Sequence, residues 1–198
     1  MTNAVVVLAG GSGSRIGGGK PLRLLGGRRL IDRALSLAAL WSPTVAVAVR
    51  DQGQVAPLAA RCIADVADIE GPLAGLASAL RFGTEQRAQT VLTIPADMPF
   101  LPVDLAERLA EALGELDCAM AASEGRAHPV CALWRTTASA ALPDYLATGQ
   151  RSLRGFAQAL GAVVVDWPVE NGDPFININS AGDLAAAESL LASQNAST

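Results

Sequence analysis

The chain has 198 residues, 51% of them hydrophobic and 17% charged, which suits one globular domain with a full core and excludes a disordered chain. Its net charge of −4 argues against general nucleic-acid binding, and no apolar run reaches the ~20 residues of a membrane span. The N-terminus lacks the charged and apolar regions of a signal peptide. Cys62, Cys118 and Cys131 form no CxxC pair, so three reduced thiols in a cytoplasmic protein is the simplest account.

The first element is an apolar run, Val5-Val6-Val7-Leu8, of the kind that forms a strand buried on both faces. It empties at Ala9 into a loop with Gly10, Gly11, Gly13, Gly17, Gly18 and Gly19, one arginine, Arg15, and a closing lysine, Lys20. Such a loop can turn a row of backbone N–H groups toward an anion, with the two cations against phosphate oxygens. It is not a P-loop, because Ser14 stands where the first glycine is required and Pro21 follows the lysine. Nor is it the dinucleotide fingerprint, because Ile16 replaces the third glycine. The first 35 residues carry Arg15, Lys20, Arg23, Arg28, Arg29 and Arg33 against Asp32 alone. A local positive field on an acidic protein suits capture of a small polyanion.

Apolar periodicity predicts a helix over Leu30–Leu40, a strand over Val45–Val49, a short helix near Gln54–Arg61 and a weak strand at Cys62–Ala64. Asp65 follows as a loop acid. Gly71-Pro72-Leu73-Ala74-Gly75 opens a helix running to about Phe82, with proline in its first turn. Thr90–Ile94 reads as a strand, and Asp97 stands just past it between Pro95 and Pro99. Ligands of open α/β sheets bind at the carboxyl ends of strands, so Asp97 is expected on the edge that bears the glycine loop. A single carboxylate there suits Mg²⁺, which is commonly held by one or two carboxylates together with substrate phosphates and waters.

A helix is expected over Val103–Leu113, strands over Cys118–Ala122 and Val130–Trp134 as an antiparallel pair, helical stretches near Thr136–Leu146 and Ser152–Leu160, and a strand at Val163–Val165. His128, before Pro129, is the only histidine; it allows one imidazole acid or base and no histidine metal cluster. Phe175-Ile176-Asn177-Ile178-Asn179 alternates apolar and amide residues, so a strand there would put Asn177 and Asn179 on one face. Asn179 could equally start the last helix, Ser180–Leu191, where Ser180 and Asp183 have capping-box spacing. One domain over 1–192 and a frayed polar tail over 193–198 result. The alternation of strand and helix predicts an α/β fold with a mostly parallel sheet.

The set LAGG…R…GGGK, GPLAG, PADMPFLP, HPV and DPFININS resembles the molybdenum cofactor guanylyltransferases, within the nucleotidyltransferases that join an NTP to a phosphorylated acceptor. The resemblance covers nearly the whole chain. It implies a Rossmann-like three-layer sandwich of the nucleotidyltransferase type. It also implies an enzyme that transfers GMP from GTP to the terminal phosphate of molybdopterin, with Mg²⁺ as cofactor. On this resemblance Arg15, Lys20 and Asp97 are catalytic, and Leu8, Ala9, Gly10, Gly11, Lys20, Asp65, Gly71, Gly75 and Asp97 bind the nucleotide. Asp97 and Asn179 hold the metal, while His128, Asn177 and Asn179 face the acceptor. Molybdoenzyme apoproteins and a cofactor-insertion chaperone are the protein partners it suggests. Two departures leave the base open: Gly19 stands where an Asp is common, and Val45–Arg50 lacks an Asn found near the guanine. A cytidylyltransferase on the same pterin, a nucleotide-sugar-forming enzyme and a non-catalytic nucleotide-binding protein are the alternatives.

Overall fold

A computed structural model describes residues 3–9, 20–51, 53, 55–69, 71–170 and 172–196, with side chains as far as 193. Seven strands form the main sheet: β1 (Asn3–Leu8), β4 (Val45–Val49), β5 (Arg61–Ala64), β6 (Thr90–Pro95), β7 (Cys118–Ser123), β8 (Arg126–Arg135) and β9 (Val163–Trp167). Their order is β5-β4-β1-β6-β8-β7-β9. β5, β4, β1 and β6 run parallel, β8 is antiparallel to both β6 and β7, and β9 is parallel to β7. The anticipated antiparallel pair is therefore present, set into an otherwise parallel sheet.

The strands are apolar on both faces because each face is covered by helices. Val5, Val7, Val47, Val49, Leu92 and Ile94 share one core with Ile31, Ala34 and Ala38 of α1 (Leu30–Trp41) and Leu105, Leu109 and Leu113 of α3 (Leu105–Leu113). Ala4, Val6, Ala46, Ala48 and Val91 point the other way, against Ala79 and Phe82 of α2 (Pro72–Glu85). Farther along that face, Met120, Ala132 and Trp134 meet Leu142 and Tyr145 of α4 (Leu142–Ala147) and Phe156 of α5 (Leu153–Ala159). This is a three-layer α/β/α domain, the fold class expected.

Several boundaries differ from expectation. Residues 55–60 form no helix: Pro57 disfavours helical backbone at Ala56 before it, and Arg61 already pairs with Ala46 as the first residue of β5. Leu24–Leu25 (β2) and Arg28–Arg29 (β3) form an unanticipated hairpin around Gly26 and Gly27. Both glycines have positive φ, 55° and 73°, as a two-residue hairpin turn of this hand requires. The stretch expected as one helix from Thr136 is a 3₁₀ segment to Ala141 followed by α4. Residues 175–179 belong to no strand. The last helix, α6, runs over Ala181–Ala196, past its expected end, because nothing from Leu184 onward is Gly or Pro. Its capping box is as anticipated: Ser180 Oγ accepts from Asp183 N at 3.1 Å, and Asp183 Oδ2 accepts from Ser180 N at 2.8 Å.

Candidate active site

The parallel strands β1, β4, β5 and β6 present their carboxyl ends along one edge. Leu8 is in register with Ala48 and Pro95. Just beyond the strand ends, Ala9 donates to Ala48 O at 2.9 Å, Ala96 donates to Leu8 O at 3.3 Å and Asp65 donates to Val49 O at 2.9 Å. Ladder bonds thus carry Ala9, Asp65 and the Asp97 turn to that edge, where open α/β sheets bind ligands.

Lys20 opens a 3₁₀ turn over Lys20–Leu22, and its ammonium is the hub of the site. It forms a salt bridge with Asp97 Oδ2 and donates to Asn179 Oδ1 at 2.6 Å and to Asn177 Oδ1 at 3.2 Å. The side chains of Lys20 and Asp97 are 15% and 18% exposed, so water screens the pair only partly. The two amides do share one side of their segment, although no strand puts them there. Ile178, between them, turns into a pocket with Leu25, Leu30 and Ala187, and its N–H bonds Asp97 O at 2.9 Å.

Two carboxylate oxygens, Asp97 Oδ1 and Asp65 Oδ1, are buried without a hydrogen-bond partner among the described residues. An orphaned acceptor of this kind costs roughly 1–3 kcal/mol or more, and both therefore point to a ligand that supplies the missing partner. Burial pushes the Asp65 carboxyl up, opposed by Arg50. Gly75 packs closely beside it: a Cβ there would lie 3.3 Å from Leu8 Cδ2 and 3.6 Å from Asp65 Oδ1. Gly71 sits at the N-terminus of the same helix, α2. Leu8, Asp65, Gly71 and Gly75 thus flank one end of the strand edge, and Asp97 stands at the other, where Lys20 joins it to Asn177 and Asn179 of a separate, strandless segment. Gly10, Gly11 and Arg15 lie outside the described residues; Ala9 and Lys20 bracket them.

No cluster of three or more His, Cys, Asp or Glu occurs among the described residues. A metal here would rest on Asp97 and amide oxygens, with the remaining positions filled by substrate phosphates and water. That donor set fits a hard cation such as Mg²⁺, and the ammonium of Lys20 sits where positive charge is held. His128 is only 5% exposed. Its Nε2 is 2.8 Å from Ser123 Oγ, and its ring stacks on Phe175 with centroids 4.6 Å apart. Burial lowers its pKa. The Cys118 and Cys131 thiols are pushed up by burial, so neither supplies a thiolate nucleophile. The roles of Ser123 and Phe175 carried no signal in the sequence. The β2–β3 hairpin did, in Gly26-Gly27 flanked by Leu-Leu and Arg-Arg.

A single α/β domain whose sheet edge gathers an ammonium and two buried carboxylate oxygens without partners among the described residues has the layout of a nucleotide-handling protein. Comparison with known proteins narrows the class. Residues 5–164 match the family described as MobA-like NTP transferase domain. The chain is 42% identical over 193 residues to the molybdenum cofactor guanylyltransferase of Rhodopseudomonas palustris (strain BisB5), covering 93% of this chain and 92% of that one. It is 39% identical over 188 residues to the molybdenum cofactor guanylyltransferase of Cereibacter sphaeroides (strain ATCC 17029 / ATH 2.4.9), covering 94% and 95%. The crystal structure of molybdopterin-guanine dinucleotide biosynthesis protein A from Archaeoglobus fulgidus superposes with a TM-score of 0.75 at 27% identity, covering 96% of this chain and 99% of that one. The chain belongs to the MobA-like NTP transferases, and within them to the molybdenum cofactor guanylyltransferases.

Proposed function

We propose that this enzyme transfers GMP from GTP to the terminal phosphate of molybdopterin, with Mg²⁺ held by Asp97 and Asn179. The observation that carries the reading is the Lys20 ammonium gathered by Asp97, Asn177 and Asn179 at the carboxyl edge of the sheet.

A terminal-phosphate oxygen of the pterin attacks the α-phosphorus of GTP. A new P–O bond forms, the bond from the α-phosphorus to the α–β bridging oxygen breaks, and pyrophosphate leaves with that electron pair. The acceptor phosphate has its second pKa near 6, so at neutral pH it needs no base to deprotonate it. The lack of a poised imidazole or thiolate among the described residues is consistent with this. What remains for the protein is positioning and offsetting charge. Lys20, with Arg15 from the glycine loop, balances charge on the leaving pyrophosphate. Asp65 accepts a hydrogen bond from the nucleoside through its buried orphan oxygen. Leu8, Ala9, Gly71 and Gly75, with Gly10 and Gly11 of the loop, give the nucleotide a close backbone surface. Asn177 and Asn179 face the acceptor. Mg²⁺, when bound, would neutralise the nucleotide phosphates and polarise the α-phosphorus.

The same reading places the enzyme in the cytoplasm, supported by three free thiols. Among the described residues no helix is long and apolar enough to cross a membrane. The product would pass to molybdoenzyme apoproteins or a cofactor-insertion chaperone.

The test is incubation of the purified protein with Mg²⁺, molybdate-loaded molybdopterin and either GTP or CTP, following pyrophosphate and the dinucleotide formed. Product with GTP alone is expected. Product with CTP alone overturns the choice of base, and product with neither overturns transfer to this acceptor.

A further inference from the structure

The segment carrying Asn177 and Asn179 belongs to no strand, yet its amides meet an ammonium 157 and 159 residues away. Besides Ile178 in its apolar pocket and the Ile178 N–H to Asp97 O, the segment meets an irregularity in β8. β7 and β8 pair Met120 with Ala132 and then Ala121 with His128, leaving Pro129, Val130 and Cys131 as a three-residue bulge. Pairing of β8 with β6 ends at the same place, at Thr93 and Ala132. Bulges re-aim side chains, and this one sends two of them toward opposite halves of the site. Cys131, fully buried, donates from Sγ to Met98 Sδ at 3.6 Å, and Met98 is the neighbour of Asp97. His128 lies flat on Phe175, at 4.6 Å and an interplanar angle of 10°, two residues before Asn177.

The contact is locked from both sides. Ser123 Oγ holds the imidazole, while Trp167 closes on Phe175 edge-on at 5.6 Å and 70°. Trp167 in turn is fixed by Asp104, which accepts from its Nε1 at 3.0 Å, and by Arg108, whose guanidinium carbon lies 4.2 Å over its ring. Aromatic stacks of this kind add roughly 0.5–1.5 kcal/mol beyond the area they bury.

We infer that the β8 bulge sets the spacing between Asp97 and the Asn177–Asn179 segment, with His128 as a positioning residue that acts through Phe175. The imidazole contributes its flat face and its bond to Ser123, not contact with substrate. The kinetic part of this inference rests on the proposed transfer reaction; its geometric part does not.

Lys20 is the only lysine in the chain, so enzyme grown on [ε-¹³C]lysine gives a single lysine resonance that reports the Asp97–Asn177–Asn179 cage without turnover. In His128→Ala that resonance is expected to move toward the position of solvated lysine. The kcat for guanylyl transfer should fall on the order of 10–100-fold, the cost of a small misplacement of positioned groups, with KM for GTP nearly unchanged. His128→Phe keeps a flat ring on Phe175 and should restore the resonance and most of kcat. Should His128→Ala fail to fold by circular dichroism, Ser123→Ala carries the test, with a smaller shift in the same direction. An unmoved Lys20 resonance in a folded variant overturns the inference, and so does a His128→Phe enzyme as impaired as His128→Ala. If wild-type enzyme makes no dinucleotide, the proposed reaction fails while the resonance still decides the positioning.

Discussion

The two halves of the site are held in different ways. Ala9, Asp65 and the Asp97 turn stand at the ends of parallel strands, and each is fixed by backbone bonds to a neighbouring strand end. Asn177 and Asn179 stand on a segment with no ladder of its own. That segment is pinned by Phe175 among aromatic rings, by Ile178 in an apolar pocket and by one N–H to Asp97 O. The sheet-end half is therefore insensitive to repacking a layer away, while the side-chain-anchored half inherits every change beneath it.

Asp97→Ala breaks the rigid half at its centre. It should lower kcat by about 10³-fold or more, the scale of losing a preorganised electrostatic group. Circular dichroism should be unchanged, because the carboxylate stands at the sheet edge and outside the core. Transfer at the wild-type rate would falsify the site assignment.

On the other half, Asn179→Ala should cost more than Asn177→Ala, roughly 10–100-fold against less than about 10-fold in kcat. The reason is the closer grip on Lys20, 2.6 Å against 3.2 Å. Steady-state kinetics of the two variants side by side checks the order.

A matched pair of core changes sharpens the contrast. Ile94→Val in β6 and Ile178→Val beside the amides each remove one buried methylene and should each cost about 0.5–1.5 kcal/mol of stability. Only Ile178→Val should also lower kcat, by about 2–5-fold. Equal kinetic effects would mean that the two halves are held alike.

The smallest effect on stability concerns Asp65. Burial raises its folded pKa above the ordinary 3.8, so the folded protein binds that proton more tightly than the unfolded chain. The resulting stability is present at pH below the unfolded value and is lost as pH rises through the folded value. Asp65→Asn, which carries no charge, should therefore melt slightly above wild type at pH 7, with the gap closing as pH falls toward 3.8. The same change should raise KM for GTP about 10-fold, since an amide N–H faces the donors that the carboxylate accepted. Thermal melts across pH, with KM measured at pH 7, test both.

Much of the molecule was legible in order of sequence. Val5–Leu8, Val45–Val49 and Thr90–Ile94 are strands because their runs are apolar without break, and a run buried on both faces has no other home in a sheet covered twice. Ser180 and Asp183 cap α6 through contacts three residues apart, well within the reach of local pattern. Position after a strand was enough to expect Asp97 at the ligand edge, since parallel strands align their carboxyl ends; Asp65 read only as a loop acid until the family resemblance marked it.

Alternation at Phe175–Asn179 correctly separated amides from Ile178 but suggested a strand that does not form. The sequence alone determined the layers, the strand ends and the residue types offered there. Only the tertiary structure decided that Lys20 binds Asp97 and both asparagines, that two carboxylate oxygens are buried without partners among the described residues, and that a bulge in β8 holds His128 beneath the segment it supports. Local patterns reflect neighbours a few residues apart, whereas those contacts join residues brought together only when the sheet and its helices close around a common core.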